Sequence, residues 1–264
     1  MEQLSSVSND KIKLAVGVRD SARTRREKGL FFLEGARLCA DAAANGIALA
    51  AVFVTSEALE KYDDYLGAAL EISRSSYVIS PKVAEKLSDT RNTQGVFALC
   101  DAVENRSGAD ALDANGKYIL LENVQDPSNL GAVSRTAEAL GLDGLIINGG
   151  CDIFNPKALR ASMGAMLRIN VTQCDDAARL LRAAAERGML TVASTPSREC
   201  RSISDIDFSG GTICVVGNEG SGITPETASA CKVKATIPMR GRAESLNAST
   251  AAAILIWEMV ENGK

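Results

Sequence analysis

Apolar positions along this chain follow two spacings that alternate. The alternation is crispest from Lys117 onward. Residues 118–124 form a near-continuous apolar run, the pattern of a strand buried on both faces. The turn Asp126-Pro-Ser-Asn129 follows, and then a helix to Leu140 whose stripe is Leu130, Val133, Ala137 and Leu140. The same reading predicts strands at 144–148, 190–194, 212–216 and 233–237. It places helices from Pro156 to about Ala165, over 175–187, from Pro225, and over 247–262. Repeated strand–helix units imply a parallel sheet covered on both faces.

The N-terminal part alternates as well, less regularly. A helix over 9–22 carries Ile12, Leu14, Ala15 and Val18. Strands are expected at 30–33 and 50–55, with a helix over 36–45 between them. A weaker strand pair, 77–79 and 95–99, flanks a helix over 81–88. The pattern predicts a compact α/β layer structure. Residues 102–116 lose apolar periodicity, and two glycines and an Asn-Gly turn signal mark a boundary. The reading is a first domain over 1–106, a linker over 107–116 and a second domain over 117–264.

Composition excludes several chemistries. The 264 residues contain no histidine, which removes Ser-His-Asp and Cys-His catalysis and histidine-based metal sites; no metal is expected. Seven scattered cysteines without a C-x-x-C pair read as buried free thiols in a reducing cytosol. Cys214, Cys231 and Trp257 are expected in the core. No apolar run of about 18 residues suggests a membrane span. The polar N-terminus does not read as a signal peptide, so a cytoplasmic protein is expected. Net charge is −4, so any nucleic acid would have to meet a local basic face. The densest basic segment is the predicted loop Arg23-Thr-Arg25-Arg26-Glu-Lys28-Gly29, either a solvated loop or a phosphate-binding patch.

Candidate chemistry sits at three strand-to-helix junctions. Asn129-Leu-Gly-Ala-Val-Ser-Arg135 follows the first strand of the second domain. Val216-Gly-Asn-Glu-Gly-Ser-Gly222 leaves another. Ile237-Pro-Met-Arg240-Gly-Arg242-Ala-Glu-Ser245-Leu246-Asn247 joins the last strand to the last helix, with Ser245, Asn247 or Ser249 as candidate N-caps. Loops at the C-terminal ends of parallel strands are where open α/β folds bind ligands. The glycine segment is not G-x-G-x-x-G and lies late in the chain, which opposes a nicotinamide-dependent oxidoreductase.

In this order the three segments resemble the three motifs of the SpoU-type (TrmH) RNA ribose 2'-O-methyltransferases of the SPOUT superfamily. The resemblance implies an α/β trefoil-knot domain that binds S-adenosylmethionine through main-chain groups at Gly217, Ile237 and Leu246, and a homodimer packed through helices 129–140 and 247–262. It implies catalysis by Arg135, Asn129, Glu219, Ser245 and Asn247. The family's proposed base corresponds to Arg135, which conflicts with an arginine pKa above about 12. In the preferred reading, charged Arg135 binds the 2'-oxygen as its anion develops. Asn129, Ser245 and Asn247 hold phosphate and ribose, and Glu219 orients Arg135 through a charge-assisted hydrogen bond.

The basic segment, Phe31-Phe-Leu-Glu-Gly35 and Asn92-Thr-Gln-Gly95 resemble the small RNA-binding domain that precedes the catalytic one, similar to ribosomal-protein folds of the kink-turn-binding kind. This implies RNA contacts at Arg23, Arg25, Arg26 and Lys28, and Arg240 and Arg242 are basic enough to add to them. Ribosomal RNA is the expected substrate. The alternatives are transfer RNA, or a non-catalytic RNA-binding protein on the same fold.

Overall fold

The computed structural model describes residues 1–102, 106–197 and 199–262. The chain forms two compact units. One takes 1–104 together with 152–167, and the other takes 105–151 together with 168–264. Residues 103–105, which fall in the expected boundary stretch, lie outside the described residues. Those that follow do not run free. Leu112 is buried, its carbonyl accepts from Arg187 Nη2 at 2.8 Å, and Asp113 N donates to the Tyr118 hydroxyl at 2.9 Å.

The first unit is built on a five-stranded mixed sheet. Its spatial order is Glu2–Leu4, Ser76–Ile79, Leu49–Thr55, Val96–Asp101 and Leu30–Glu34. The first three run parallel, and the last two pair antiparallel. Ile12, Ala15 and Val18 of helix Asp10–Asp20 and Val83, Ala84 and Leu87 of helix Pro81–Leu87 pack on Phe32, Phe53 and Phe97.

The expected basic loop is instead a helix, Ala22–Lys28. Ser21 ends the preceding helix and caps this one through Thr24 N, and Gly29, at φ 60°, closes it in the left-handed conformation. Ala-Arg-Thr-Arg-Arg-Glu-Lys consists largely of good helix formers but has no apolar period to reveal it. Arg25 is only 5 % exposed. It pairs with Asp152 at 2.6 Å and donates to the carbonyls of Val18 and Arg19, both at 2.8 Å. It is therefore a structural residue, and the expectation that it meets phosphate is corrected.

Asp152 belongs to a segment that the sequence reading placed wholly in the second domain. Within the first unit, Phe154 stacks on Phe31 at 4.7 Å, and Arg160 bonds Asp89 at 2.6 Å and lies 3.8 Å from buried Glu34.

Among the described residues the second unit has eight strands, paired in parallel. Their order is Arg201–Ser202, Val233–Thr236, Leu190–Ser194, Thr212–Val216, Lys117–Glu122, Gly144–Asn148, Val171–Gln173 and Arg106–Ser107. Alternate residues Tyr118, Leu120, Ile146, Ile213 and Val215 pack with helix Ala177–Glu186 on one face. Helices Pro127–Ala139 and Ala248–Glu261 pack on each other and on the central strands. Both faces being covered explains why these strands read as unbroken apolar runs.

The last helix buries Ala252, Leu255, Ile256 and Met259, a single stripe at helical spacing. Trp257 falls off that stripe and is 53 % exposed, which corrects its expected place in the core. Cys39, Cys100 and Cys214 are buried free thiols, whereas Cys151, Cys174, Cys200 and Cys231 are half-buried. Burial is the main cause that raises the Cys231 thiol to about 12, followed by the nearby Glu122 charge. No helix among the described residues is long and apolar enough to cross a membrane.

Candidate functional site

The site lies in the second unit at the C-terminal ends of adjacent strands. Strand Thr212–Val216 runs into the glycine loop. Asn218 and Gly222 bridge that loop in both directions, at 3.0 and 2.9 Å. Gly217 has no room for a side chain, because a Cβ there would stand 2.1 Å from the Gly222 carbonyl carbon. The Asn218 side chain organises the turn, accepting from Gly220 N at 2.9 Å and Ser221 N at 3.0 Å.

This loop, the residues after Ser194 and the segment after Thr236 enclose a cavity of about 420 Å³. Gly217, Ile237 and Leu246, the three expected cofactor contacts, all line it. Glu219, Ser245 and Met239 line it too. A concave site of this size, with main-chain groups and a few apolar side chains, matches small-molecule pockets in general.

Beside the cavity, one chain of hydrogen bonds joins all three junction loops. Asn129 Nδ2 donates to Glu219 Oε1 at 2.9 Å, and Asn247 Nδ2 donates to Asn129 Oδ1 at 3.0 Å. Glu219 also accepts from the main-chain N–H groups of Gln125 and Asp126, both at 3.1 Å, where the helix carrying Asn129 begins. Burial pushes the Glu219 carboxyl up. The bonds from Asn129 and from backbone N–H groups outweigh it and hold the carboxyl below its ordinary value of 4.5. Asn247 caps the last helix, accepting from Ser249 N at 2.8 Å and Thr250 N at 3.3 Å. Asn129 itself is 5 % exposed, and its amide nitrogen and oxygen each give one bond to this chain.

These contacts correct one expectation. Glu219 does not hold Arg135; its acceptor positions are taken by Asn129 and the start of helix Pro127–Ala139, where the helix dipole favours a carboxylate. Arg135 lies on the exposed face of that helix, and no hydrogen bond or ion pair ties it to another described residue. Arg240, Arg242 and Ser245 are exposed in the loop before Asn247. In the first unit Arg23, Arg26 and Lys28 are exposed. The sequence reading missed Glu122, a buried acid at the end of a strand, which accepts from Thr224 and Thr227 behind the glycine loop.

The three tied loops are the segments that carried the family resemblance, and comparison with known proteins agrees. Residues 116–257 match the model of the SpoU rRNA methylase family, and residues 9–98 match that of the MRM3-like substrate binding domain. The chain belongs to the SpoU rRNA methylase family. It is 29 % identical to a 23S rRNA (guanosine(2553)-2'-O)-methyltransferase, RlmP, of Bacillus subtilis, over 98 % of this chain and 99 % of that one. It is 31 % identical to a 23S rRNA (uridine(2479)-2'-O)-methyltransferase of Streptomyces viridochromogenes, over 54 % of this chain and 51 % of that one. A crystal structure of an AdoMet-bound rRNA methyltransferase from Sinorhizobium meliloti superposes at a TM-score of 0.85, with 26 % identity over 98 % of this chain and 97 % of that one.

Proposed function

We propose that this member of the SpoU rRNA methylase family transfers a methyl group from S-adenosylmethionine to a ribose 2'-hydroxyl of ribosomal RNA. The observation that carries the reading is the bond chain Glu219–Asn129–Asn247, which draws the three family segments together beside the 420 Å³ cavity. Gly217, Ile237 and Leu246 hold the cofactor there, and their main-chain groups and the apolar Leu246 side chain fit a nucleoside with an aliphatic arm. Bound S-adenosylmethionine supplies an already electrophilic methyl group, so the protein's task is to align the 2'-hydroxyl and relieve its proton.

Arg135 performs the central part of that task. Its guanidinium stays charged and donates to the 2'-oxygen as negative charge develops, while the hydroxyl proton passes to the neighbouring RNA phosphate, which Arg135 also orients. An arginine without internal partners is available for this. Glu219 acts one step back by fixing Asn129, which with Ser245 and Asn247 holds ribose and phosphate.

RNA reaches the protein through Arg23, Arg26 and Lys28 of the first unit and through Arg240 and Arg242. The first unit, 1–104 with 152–167, serves as the RNA-binding part and the second, 105–151 with 168–264, as the methyltransferase part, with the family's knotted threading. Two copies pair through helices Pro127–Ala139 and Ala248–Glu261, the second of which carries exposed Trp257. The protein works without a metal, in the cytoplasm where ribosomal RNA is found.

Mapping 2'-O-methyl sites in ribosomal RNA from cells with and without this protein tests the reading. One or a few sites should disappear with the protein. An unchanged ribosomal RNA map, with a site lost from transfer RNA instead, would move the substrate to transfer RNA.

A further inference from the structure

The glycine loop is held from behind by two consecutive residues that lie outside the three junction segments. Glu122 ends strand Lys117–Glu122 and is 5 % exposed. One of its carboxylate oxygens accepts from Thr224 N at 2.8 Å. The other accepts from Thr224 Oγ1 at 2.8 Å and Thr227 Oγ1 at 2.5 Å. No arginine or lysine pairs with it among the described residues. Its burial is compensated by these donors alone, and all three lie just past Ile223, which lines the cavity. The next residue, Asn123, takes a left-handed conformation at φ 54°, unusual for a residue with a side chain. Its carbonyl accepts from Asn218 Nδ2 at 2.9 Å, and its N–H donates to the Asn148 carbonyl at 2.8 Å. Glu122 thus fixes the far end of the loop, and Asn123 fixes its first turn.

We infer that Glu122 and Asn123 are positioning residues for the cofactor: they hold the loop 217–224 closed, so that its main-chain groups stand ready at the cavity before any ligand arrives. The inference rests on the reading of the cavity as the S-adenosylmethionine site. Neither residue touches the reacting atoms. A buried, cation-free carboxylate costs stability unless its donors are fixed, and a left-handed backbone beside it narrows the residues that can stand there to glycine and a few such as asparagine.

The test is calorimetric titration of the purified full-length protein with S-adenosylmethionine, alongside thermal melts and steady-state methylation of ribosomal RNA. Glu122→Leu leaves three donors unsatisfied and should weaken cofactor binding about tenfold or more. It should raise KM for the cofactor by the same factor and leave kcat at saturating cofactor within about threefold of wild type. Glu122→Gln should stay within about threefold, because its carbonyl can accept from Thr224 N while the threonine hydroxyls rotate to accept from its amide. Asn123→Gly should bind as wild type, whereas Asn123→Val, which resists a positive φ, should not. If Glu122→Leu fails to fold, the two Asn123 variants decide. Wild-type affinity in every folded variant would overturn the inference, as would a lowered melt with unchanged affinity. A wild-type protein that does not bind S-adenosylmethionine would overturn the functional reading, and this inference with it.

Discussion

Two cavities of the same volume, about 420 Å³, lie at the C-terminal ends of parallel strands, one in each unit. In the first unit the strands end at Leu4, Thr55 and Ile79. Polar side chains there mainly bond backbone groups: Thr55 and Ser80 cap the helices beside them, Ser80 Oγ also donates to the Ser5 carbonyl at 3.5 Å, and Gln94 Oε1 accepts from Ala36 N at 2.9 Å. Thr55 Oγ1 accepts from Ala58 N at 3.2 Å, and Ser80 Oγ accepts from Val83 N at 3.4 Å. In the second unit polar side chains from different loops bond one another. Asn129 and Glu219 are 90 residues apart in sequence, and Asn129 and Asn247 are 118 apart. A parallel sheet opens a cavity at its strand ends whatever the sequence. A site needs polar side chains that are fixed by one another, as Asn247 is by Asn129 even while it caps a helix.

The largest effect expected from this contrast is at Gly217. Gly217→Val drives a side chain into Gly222 and should remove measurable S-adenosylmethionine binding by calorimetry, while far-UV circular dichroism stays near wild type. Detectable binding near wild-type affinity would mean that the second cavity is no more a site than the first.

Next comes Arg135→Ala. Single-turnover methyl transfer should fall about a hundredfold or more, the scale of losing an oxyanion donor. Cofactor affinity should hold, and the melt should shift by no more than about 0.5–1 kcal/mol, as at exposed sites. Arg135→Lys should not restore the rate, since a lysine lacks the planar fork. A collapsed melt would make Arg135 structural.

Arg25 and Arg23 sharpen the same division inside one short helix. Arg25→Ala should cost roughly 2–3 kcal/mol in denaturant unfolding, somewhat below the range for fully buried pairs because Asp152 is partly exposed. Arg23→Ala should change stability by about 0.5 kcal/mol or less and instead weaken RNA binding in a salt-dependent way. Equal stability losses would erase the distinction between them.

Glu219 adds a pH dependence of known sign. Its carboxyl is depressed in the folded protein, so its ties to Asn129 and the helix start are intact at and above the ordinary glutamate value of 4.5. They are lost as pH falls through the lower, folded value. Cofactor affinity should drop only in that acid window, and Glu219→Gln should show a weaker and flatter profile. A wild-type loss centred near neutral pH would point to another group.

The smallest effect belongs to the first cavity. Thr55→Val and Ser80→Ala each remove a helix cap and should cost about 1 kcal/mol. Cofactor affinity should be untouched in both. A cofactor-binding defect in either would transfer the site to the wrong unit.

Periodicity revealed most of the second unit. The strands at 144–148, 190–194 and 212–216 stand where alternation and β-branched runs put them, and Asn247 is the cap among the three candidates. What escaped depended on distance or on uniformity. Arg25 looks like any surface arginine until Asp152, 127 residues away, closes on it. The same long-range packing, through Phe31–Phe154 and Arg160–Asp89, draws 152–167 into the first unit, and no local pattern signals it. Removing residues 1–106 would therefore take away Arg25, Phe31 and Asp89, with which Asp152, Phe154 and Arg160 pair. Trp257 sits in a run so evenly apolar that no face stands out. The Glu219–Asn129 bond was out of reach because family resemblance names residues without saying which of them touch.

The central claim is that the three tied loops move a methyl group to a ribose oxygen. It is tested most directly by incubating the purified protein with ribosomal RNA and isotope-labelled S-adenosylmethionine, digesting the RNA to nucleosides and identifying the labelled product by mass spectrometry. The account predicts the label in a 2'-O-methyl nucleoside, undiminished by exhaustive chelation of metals and lost in Arg135→Ala. Label on a base, or none on RNA from a protein that binds the cofactor, would contradict it.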